Sequence, residues 1–392
     1  MRSIPFLLAA FLQDTALALV FAALPFRATE LGAGPVSLGL LPTLYAAGYM
    51  VSASLGGRVS DRVPRLALVR RAGLAFSVVA ASLAFAGRLG FLFALLPLAG
   101  LALGFYWSPL QAALADEARP DDLSRSIGRF NVAWCLGKGS GIVFGGLLTA
   151  AFSPVAVLSC AALPGVLIAF VLMRFRSSSS PAAEAAVPAA ASRDVASAIA
   201  SRPPRFSSAF LRLAWMTNAL AYGVVGTVNM HAPRLLREQG GGPAEFGLVF
   251  GAVFLVQTLT FAAHGRRATG PRALLASLAL AVVGLGLFVG TTSLGGRLVA
   301  TLPLGLAIGL AYHASLQASL DRATGRGRAA GWHETILGAG SSTLPLLGGA
   351  AASITGRATA PFAVALGVVA TGAAIAATLR GGRRVPAEAS RD

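Results

Sequence analysis

Twelve apolar stretches separated by short, arginine-bearing loops decide most of what this chain can become. They run over residues 4–24, 36–57, 70–87, 90–115, 128–152, 154–173, 210–232, 245–263, 273–294, 298–320, 329–354 and 359–379. Each is long enough, or nearly so, to cross about 30 Å of hydrocarbon as an α-helix. The third is the weakest, with 16 uncharged residues between Arg71 and Arg88. A bilayer offers backbone groups no water, so a spanning segment must satisfy its own N–H and C=O groups or close into a barrel. Twelve such stretches therefore predict an all-α polytopic membrane protein. Composition agrees, with 55% of residues hydrophobic and 12% charged, whereas an ordinary soluble domain has about a quarter of its residues charged.

The net charge of +17 would suit a nucleic-acid partner only if the basic residues formed a patch interleaved with aromatic rings. They fall instead in short clusters between apolar runs. Assigning both termini and every even-to-odd loop to one side places 25 arginines there and six on the other side. That bias predicts cytoplasmic termini. Arg2 and the apolar run behind it imitate a secretory signal, but Asp14 in the middle of that run argues against one. Arginine outnumbers lysine by 31 to one, and with the heavy use of alanine and glycine this suggests a bacterium with a GC-rich genome. The expected location is then the bacterial cytoplasmic (inner) membrane. Cys135 and Cys160 both lie in apolar segments, so neither a disulfide framework nor a metal site is expected, and no cofactor is called for.

Between the sixth and seventh stretches lies a Ser, Ala and Pro-rich segment with no apolar period, which reads as a flexible linker. It divides the chain into residues 1–175, a linker over 176–208, residues 209–380 and a tail over 381–392. The halves repeat. Pro25, Glu30, Gly32, Gly34, Pro35, Gly39, Leu40, Gly57 and Arg58 return 208 positions on as Pro233, Glu238, Gly240, Gly242, Pro243, Gly247, Leu248, Gly265 and Arg266. Tyr106, Leu110, Gln111 and Leu114 return 206 positions on as Tyr312, Leu316, Gln317 and Leu320.

A glycine pattern sits in the fifth stretch as Gly128, Gly137, Gly141, Ile142, Gly145 and Gly146. Shifted by 203 positions it becomes Gly331, Gly340, Leu344, Pro345, Gly348 and Gly349. Small residues four apart let two helix backbones approach closely in a membrane, but close packing alone does not explain one spacing in both copies. The pattern resembles the fifth-helix motif G-x8-G-x3-G-P-x2-G-G of antiporters in the major facilitator superfamily, with Ile142 where that family has proline. The loop Gly57-Arg-Val-Ser-Asp61-Arg62-Val-Pro64-Arg65 resembles the superfamily's cytoplasmic motif G-x3-D-R/K-x-G-R, with Pro64 replacing a glycine.

The resemblance implies two six-helix bundles of parallel topology related by an axis along the membrane normal, with a substrate site near mid-depth between them. It implies that Asp61 faces the start of the eleventh helix, where unpaired N–H groups carry partial positive charge, and that Arg65 meets Asp116. It also implies that helices one, four, seven and ten line the cavity. Candidate cavity residues on them are Trp107, Gln111, Asn218, Tyr222, His313 and Gln317. Hydrogen bonding between helices would account for the two glutamines equally well.

Charges inside the membrane bear on mechanism, because an acid or base at mid-helix costs about 2.5–3.5 kcal/mol on insertion scales. Asp14 and Lys138 each lie ten residues into their stretches, near one depth at about 1.5 Å per residue, and can pair. Burial favours the neutral acid and a nearby ammonium favours the carboxylate, so such a pair can be poised to titrate. A static structural pair would look the same in sequence. Glu334 and His333 fall about five residues into the eleventh stretch, close enough to the cytoplasm to reach the Asp61 loop, and Glu334 is a further candidate for proton coupling. His231 and His264 near helix ends suggest interfacial roles. The fourth stretch carries no basic residue from Leu89 to Ala115, so the helix-four arginine common in proton antiporters of the family is missing.

No hydrolase elbow, phosphate-binding loop or zinc helix is present in the sequence, and an enzyme is not expected. The resemblance implies a secondary transporter working by alternating access, here a proton-linked exporter of a small organic or amphipathic molecule, acting as a monomer in the lipid bilayer. Two other readings share these features: a small-solute uptake symporter or facilitator, and a transport-inactive sensor or assembly protein that keeps the fold.

Overall fold

The computed structural model describes residues 4–60, 62–117, 123–173, 206–264, 270–320 and 326–381. They form twelve helical passes and no strand among the described residues. The first six are α1 (Ile4–Glu30), α2 (Pro35–Ser60), α3 (Arg65–Ala84), α4 (Leu89–Glu117), α5 (Leu123–Ala151) and α6 (Pro154–Met173, interrupted at Ala161 and Ala162). The last six are α7 (Ser208–Glu238), α8 (Pro243–His264), α9 (Pro271–Gly290), α10 (Leu294–Leu320), α11 (Arg326–Thr355) and α12 (Ala360–Gly381). The segment expected to link the halves, and the Asp61 of the loop motif, lie outside the described residues.

Local chemistry sets the helix ends. Ser153 and Ser207 cap α6 and α7 by accepting the N–H of Ala156 and of Phe210, each at 3.2 Å, which satisfies a donor that the first turn leaves open. Proline opens α2, α8 and α9, where its missing N–H costs nothing. The repeated Glu-x-Gly-x-Gly-Pro segments become one turn made twice. Gly32 and Gly240 have φ of 85° and 83°, a left-handed conformation that a side chain would strain. Beside them Ala33 N–H donates to Ala28 O at 2.9 Å and Gly241 N–H to Leu236 O at 2.8 Å, closing α1 and α7 with the same six-residue bond.

Several helices outrun the apolar stretches that announced them. α3 starts at Arg65 and α5 at Leu123, each five residues before its stretch, and α7 runs six residues past its own. The apolar window stops at a charge, whereas the helix continues into the interface with the charge on its surface. Ten of the helices are apolar enough to be recognised as membrane spans by composition. The other two, α7 and α11, carry polar residues such as Thr217, Asn218, Tyr222, Asn229 and Glu334 that are buried against other helices, so protein rather than lipid solvates them.

The six helices of each half pack as a bundle, and the bundles meet along two seams, α2 against α11 and α5 against α8. Glycine is what lets them close. On α5, a Cβ added to Gly137, Gly141 or Gly145 would run into Phe11, Thr15 with Ala18, or Ala22 of α1, while one on Gly139 or Gly146 would meet Phe254 or Gly247 of α8. Their counterparts on α11 do the same: Gly340 abuts Ala219 of α7, Gly348 abuts Pro361 of α12, and Gly349 abuts Pro35 of α2. The repeated spacing therefore presents one face to the helix of its own bundle and another to the seam. Gly128 is buried near the start of α5, beside Leu7 and Phe11 in an apolar groove. The α2–α11 seam is closed at both depths, with Gly331 against Ala53 near one end and Gly39 against Pro345 near the other.

Candidate functional site

Between the seams lies a cavity of about 130 Å³, close in volume to an engineered apolar cavity that holds one benzene molecule, about 150 Å³. Four of the five tyrosines of the chain line it, Tyr45, Tyr49, Tyr222 and Tyr312, together with Trp107 and Trp134. Tyrosine and tryptophan ordinarily gather at the membrane surface, so this gathering at mid-depth belongs to the cavity. Trp134 and Tyr312 stand 4.9 Å apart, and Tyr222 and Tyr312 are 5.8 Å apart, joining rings of the two bundles into one wall.

Three charged side chains face this space. Asp14 of α1, 3% exposed, lies with Oδ1 3.6 Å from Lys138 Nζ of α5. The ammonium also sits over the rings of Trp134 and Phe254 at 5.3 and 5.5 Å, so a cation–π contact on each bundle supports it. Glu334 of α11 accepts the Tyr49 hydroxyl on Oε2 at 2.6 Å and Gln111 Nε2 on Oε1 at 2.7 Å. Both donors come from the opposite bundle. Among the described residues no ion pair includes Glu334.

Of the cavity candidates, the structure brings Trp107, Gln111 and Tyr222 to the wall, and does not bring Asn218, His313 or Gln317. Asn218 is fully buried on α7 one turn from Tyr222, and Gln317 is half-buried on α10. His313 loses its place because α10 is turned by one residue relative to α4. On α4, Tyr106 bonds Ala9 O of α1 at 2.9 Å and Trp107 faces the cavity; on α10 the repeat mate of Tyr106, Tyr312, takes the cavity position and His313 packs near Phe261. α4 also leans onto α11, a packing with no match of similar extent between α10 and α5.

Glu334 corrects an expectation of depth. α11 begins at Arg326 rather than near residue 329, which carries Glu334 inward to the cavity wall at 4% exposure. Its neighbour His333 points away, with Nδ1 2.9 Å from Ser315 Oγ. His231 is likewise no interfacial residue: it is 2% exposed and its Nε2 lies 2.9 Å from Pro345 O. The His264 side chain lies outside the described residues. In the cytoplasmic motif, Gly57 is buried, Arg62 is exposed, and Arg65 at the start of α3 forms an ion pair with Asp116 at the end of α4. Tyr45, Tyr49, Trp134 and Phe254 belong to no motif or repeat, and Tyr312 stands out in sequence only as the repeat mate of Tyr106; tyrosines far from helix ends are the signal the sequence offers for this wall. Among the described residues no group of three or more metal-ligating side chains comes together.

Two pseudo-symmetric six-helix bundles around a cavity with buried charges are the architecture of a membrane transporter. The sequence profile described as Major Facilitator Superfamily matches residues 6–333, and the chain belongs to that superfamily: it is a multi-pass membrane transporter rather than an enzyme. Solved structures share the fold at low identity. The human organic anion transporter MFSD10 (TETRAN) matches with a TM-score of 0.68 and 17% identity, over 96% of this chain and 98% of that one. A bacterial homolog of the human lysosomal transporter Spinster, inward-facing and unoccupied, matches with a TM-score of 0.71 and 15% identity, over 98% of both chains. A peptide transporter, POT, matches with a TM-score of 0.70 and 14% identity, over 97% and 94%. Comparison with curated protein sequences finds no match.

Proposed function

We propose that the chain is a proton-linked exporter of a small amphipathic molecule, with Asp14 as the acid that carries the proton. The observation behind this reading is the Asp14–Lys138 pair on the wall of the aromatic cavity between the bundles. A buried carboxylate beside an ammonium and open to a cavity can exchange a proton with whichever side the cavity faces, and the ammonium limits the cost of its charge. A proton entering in exchange for a neutral molecule gains about 2.3 kcal/mol per 100 mV of potential, whereas exchange for a monocation moves no net charge and is driven by the pH difference alone. The aromatic and aliphatic walls favour an apolar body, and the buried polar groups favour a polar end. The outward direction rests on the glycine pattern at Gly128 to Gly146, and the inner membrane with cytoplasmic termini rests on the arginine bias.

The test has two stages. A thermal-shift panel of small amphipathic solutes identifies a ligand, because binding to the native state raises its stability. In proteoliposomes an imposed pH gradient should then drive flux of that ligand in wild type, whereas Asp14→Asn should exchange it and ignore the gradient. Flux indifferent to pH in wild type would end the proton-linked reading.

A further inference from the structure

The two acids of the cavity are not equivalent. Asp14 has an ammonium 3.6 Å away. Glu334 has only the neutral donors of Tyr49 and Gln111, so with all three charged groups ionised the cavity holds one uncompensated negative charge, and Glu334 is where it lies. An anion in a water-poor site is costly without a counter-charge. The bundles supply none among the described residues.

The surroundings of Glu334 favour a particular counter-charge. Tyr49 stacks on Tyr45 with centroids 5.8 Å apart, and Tyr222 and Tyr312 form a second pair of faces in the same space. Aromatic faces attract cations, most strongly where water is excluded, and this cavity already uses that chemistry to hold its own lysine on Trp134 and Phe254. Gln111 donates its Nε2 to the same carboxylate at 2.7 Å, so two neutral donors already orient the Glu334 oxygens without balancing their charge.

We propose that the substrate is an organic monocation, a protonated amine carrying a single-ring apolar body, with its ammonium on Glu334 and its body against the tyrosine faces. The ring size follows from the cavity of about 130 Å³. This deepens the exporter reading and rests on it for the cavity's role. It assigns Glu334 to the substrate, and leaves the proton with Asp14.

The experiment is an equilibrium one, in nanodiscs at neutral pH and with no gradient, so its outcome is separate from that of gradient-driven flux. Thermal shift and titration calorimetry are run with 2-phenylethylammonium and cyclohexylethylammonium as cations, 2-phenylethanol as the neutral match and 3-phenylpropionate as the anion. The cations should raise Tm in a saturable way and the alcohol and the anion should not. Glu334→Gln, which keeps shape and can still bond Tyr49, should weaken the cation by about tenfold or more, the scale of a lost charge-assisted hydrogen bond. Glu334→Asp should retain part of the binding, and Glu238→Gln, an exposed acid paired with Arg234 at the far end of α7, should retain all of it. If Glu334→Gln is not monodisperse, Gln111→Leu gives the second reading, with a smaller but definite weakening expected. A shift from 3-phenylpropionate equal to that from the cations, no shift from either cation, or full cation affinity in Glu334→Gln would each overturn the proposal.

Discussion

The Glu334 carboxylate of α11 receives the Tyr49 hydroxyl of α2 across the seam between the bundles, at 2.6 Å. Asp14 and Lys138, by contrast, both belong to the first bundle. If the bundles rock as rigid bodies, the Asp14–Lys138 contact can persist through the cycle, but the Tyr49–Glu334 contact has to break. A contact present in one state and absent in the other is what lets a group bias an equilibrium between them.

Tyr49→Phe should therefore open the seam. It removes the hydroxyl and little else, and a hydrogen bond to a charged group is worth about 1.5–3 kcal/mol. That corresponds to a loss of about tenfold or more in the closed population. A single cysteine at Ser54, where α2 meets Gly331 of α11, reports it in a background with Cys135 and Cys160 replaced. Its labelling should accelerate in Tyr49→Phe. An unchanged rate would place the lock elsewhere.

The glycine faces predict a contrast between equivalent substitutions. Gly137→Ala and Gly340→Ala would each push a methyl group into backbone of the neighbouring helix, at Phe11 and at Ala219. Overpacking of this kind costs about 1–3 kcal/mol. Gly367 on α12 has nothing within 4 Å of an added Cβ, and Gly367→Ala should be neutral or slightly stabilising, because alanine is the better helix former. Thermal melts of the three purified variants test this, and equal Tm values would remove the close-approach account of the repeated spacing.

Arg297 offers a test of a different kind. It is the largest fully buried side chain among the described residues, at 1% exposure, and it holds Glu245 at the start of α8 and Gln239 just beyond α7. Removing one partner of a buried ion pair typically costs about 3–5 kcal/mol, because the other charge is stranded. Glu245 is 20% exposed, so Arg297→Met should fall toward the lower end of that range, and Arg297→Met with Glu245→Gln should recover part of it. A Tm in the double variant no higher than in the single would mean that the arginine acts by packing alone.

Much of this architecture was legible in the sequence because it rests on spacing. The 208-residue register carries Gly32 onto Gly240, and the structure makes the same left-handed turn at both. Counting residues into each helix put Asp14 and Lys138 at one depth, and their contact follows. Glu334 was misplaced for the converse reason: its depth depends on where α11 begins, and an apolar window ends at charge rather than at the end of the helix. His313 and Gln317 were expected on the wall by symmetry with Trp107 and Gln111, but a one-residue rotation of α10 is invisible to a repeat that still aligns Tyr106 with Tyr312. Nothing local to Tyr49 in sequence indicates a partner 285 positions away.

The arginine bias makes a prediction about sidedness. Single cysteines at Ser178 and at Gly241, in the same cysteine-free background, should label from opposite faces of the membrane, with Ser178 protected in intact cells and Gly241 reactive to an impermeant reagent. Labelling of the Ser178 position from outside would invert the topology and with it the direction of every gradient argument.

The Asp14–Lys138 pair has two explanations, structural and functional, and a charge-balanced double variant separates them. Lys138→Met strands Asp14, which is 3% exposed, and should destabilise the protein. Because the lysine side chain itself is 19% exposed to the cavity, the loss should be somewhat below the roughly 3–5 kcal/mol of a fully buried pair. Asp14→Asn with Lys138→Met removes both charges, leaves similar volumes and should restore most of the lost Tm, since an ion pair replaced by apolar or neutral groups of like size is often neutral in stability. If the pair only holds α1 to α5, the double variant should also regain transport driven by a pH gradient. The proton-carrying role of Asp14 requires the opposite: stability returns, exchange of substrate returns, and gradient-driven flux does not. Measured side by side on one proteoliposome preparation, recovery of Tm together with recovery of gradient-driven flux would make the pair structural and move the proton to another group.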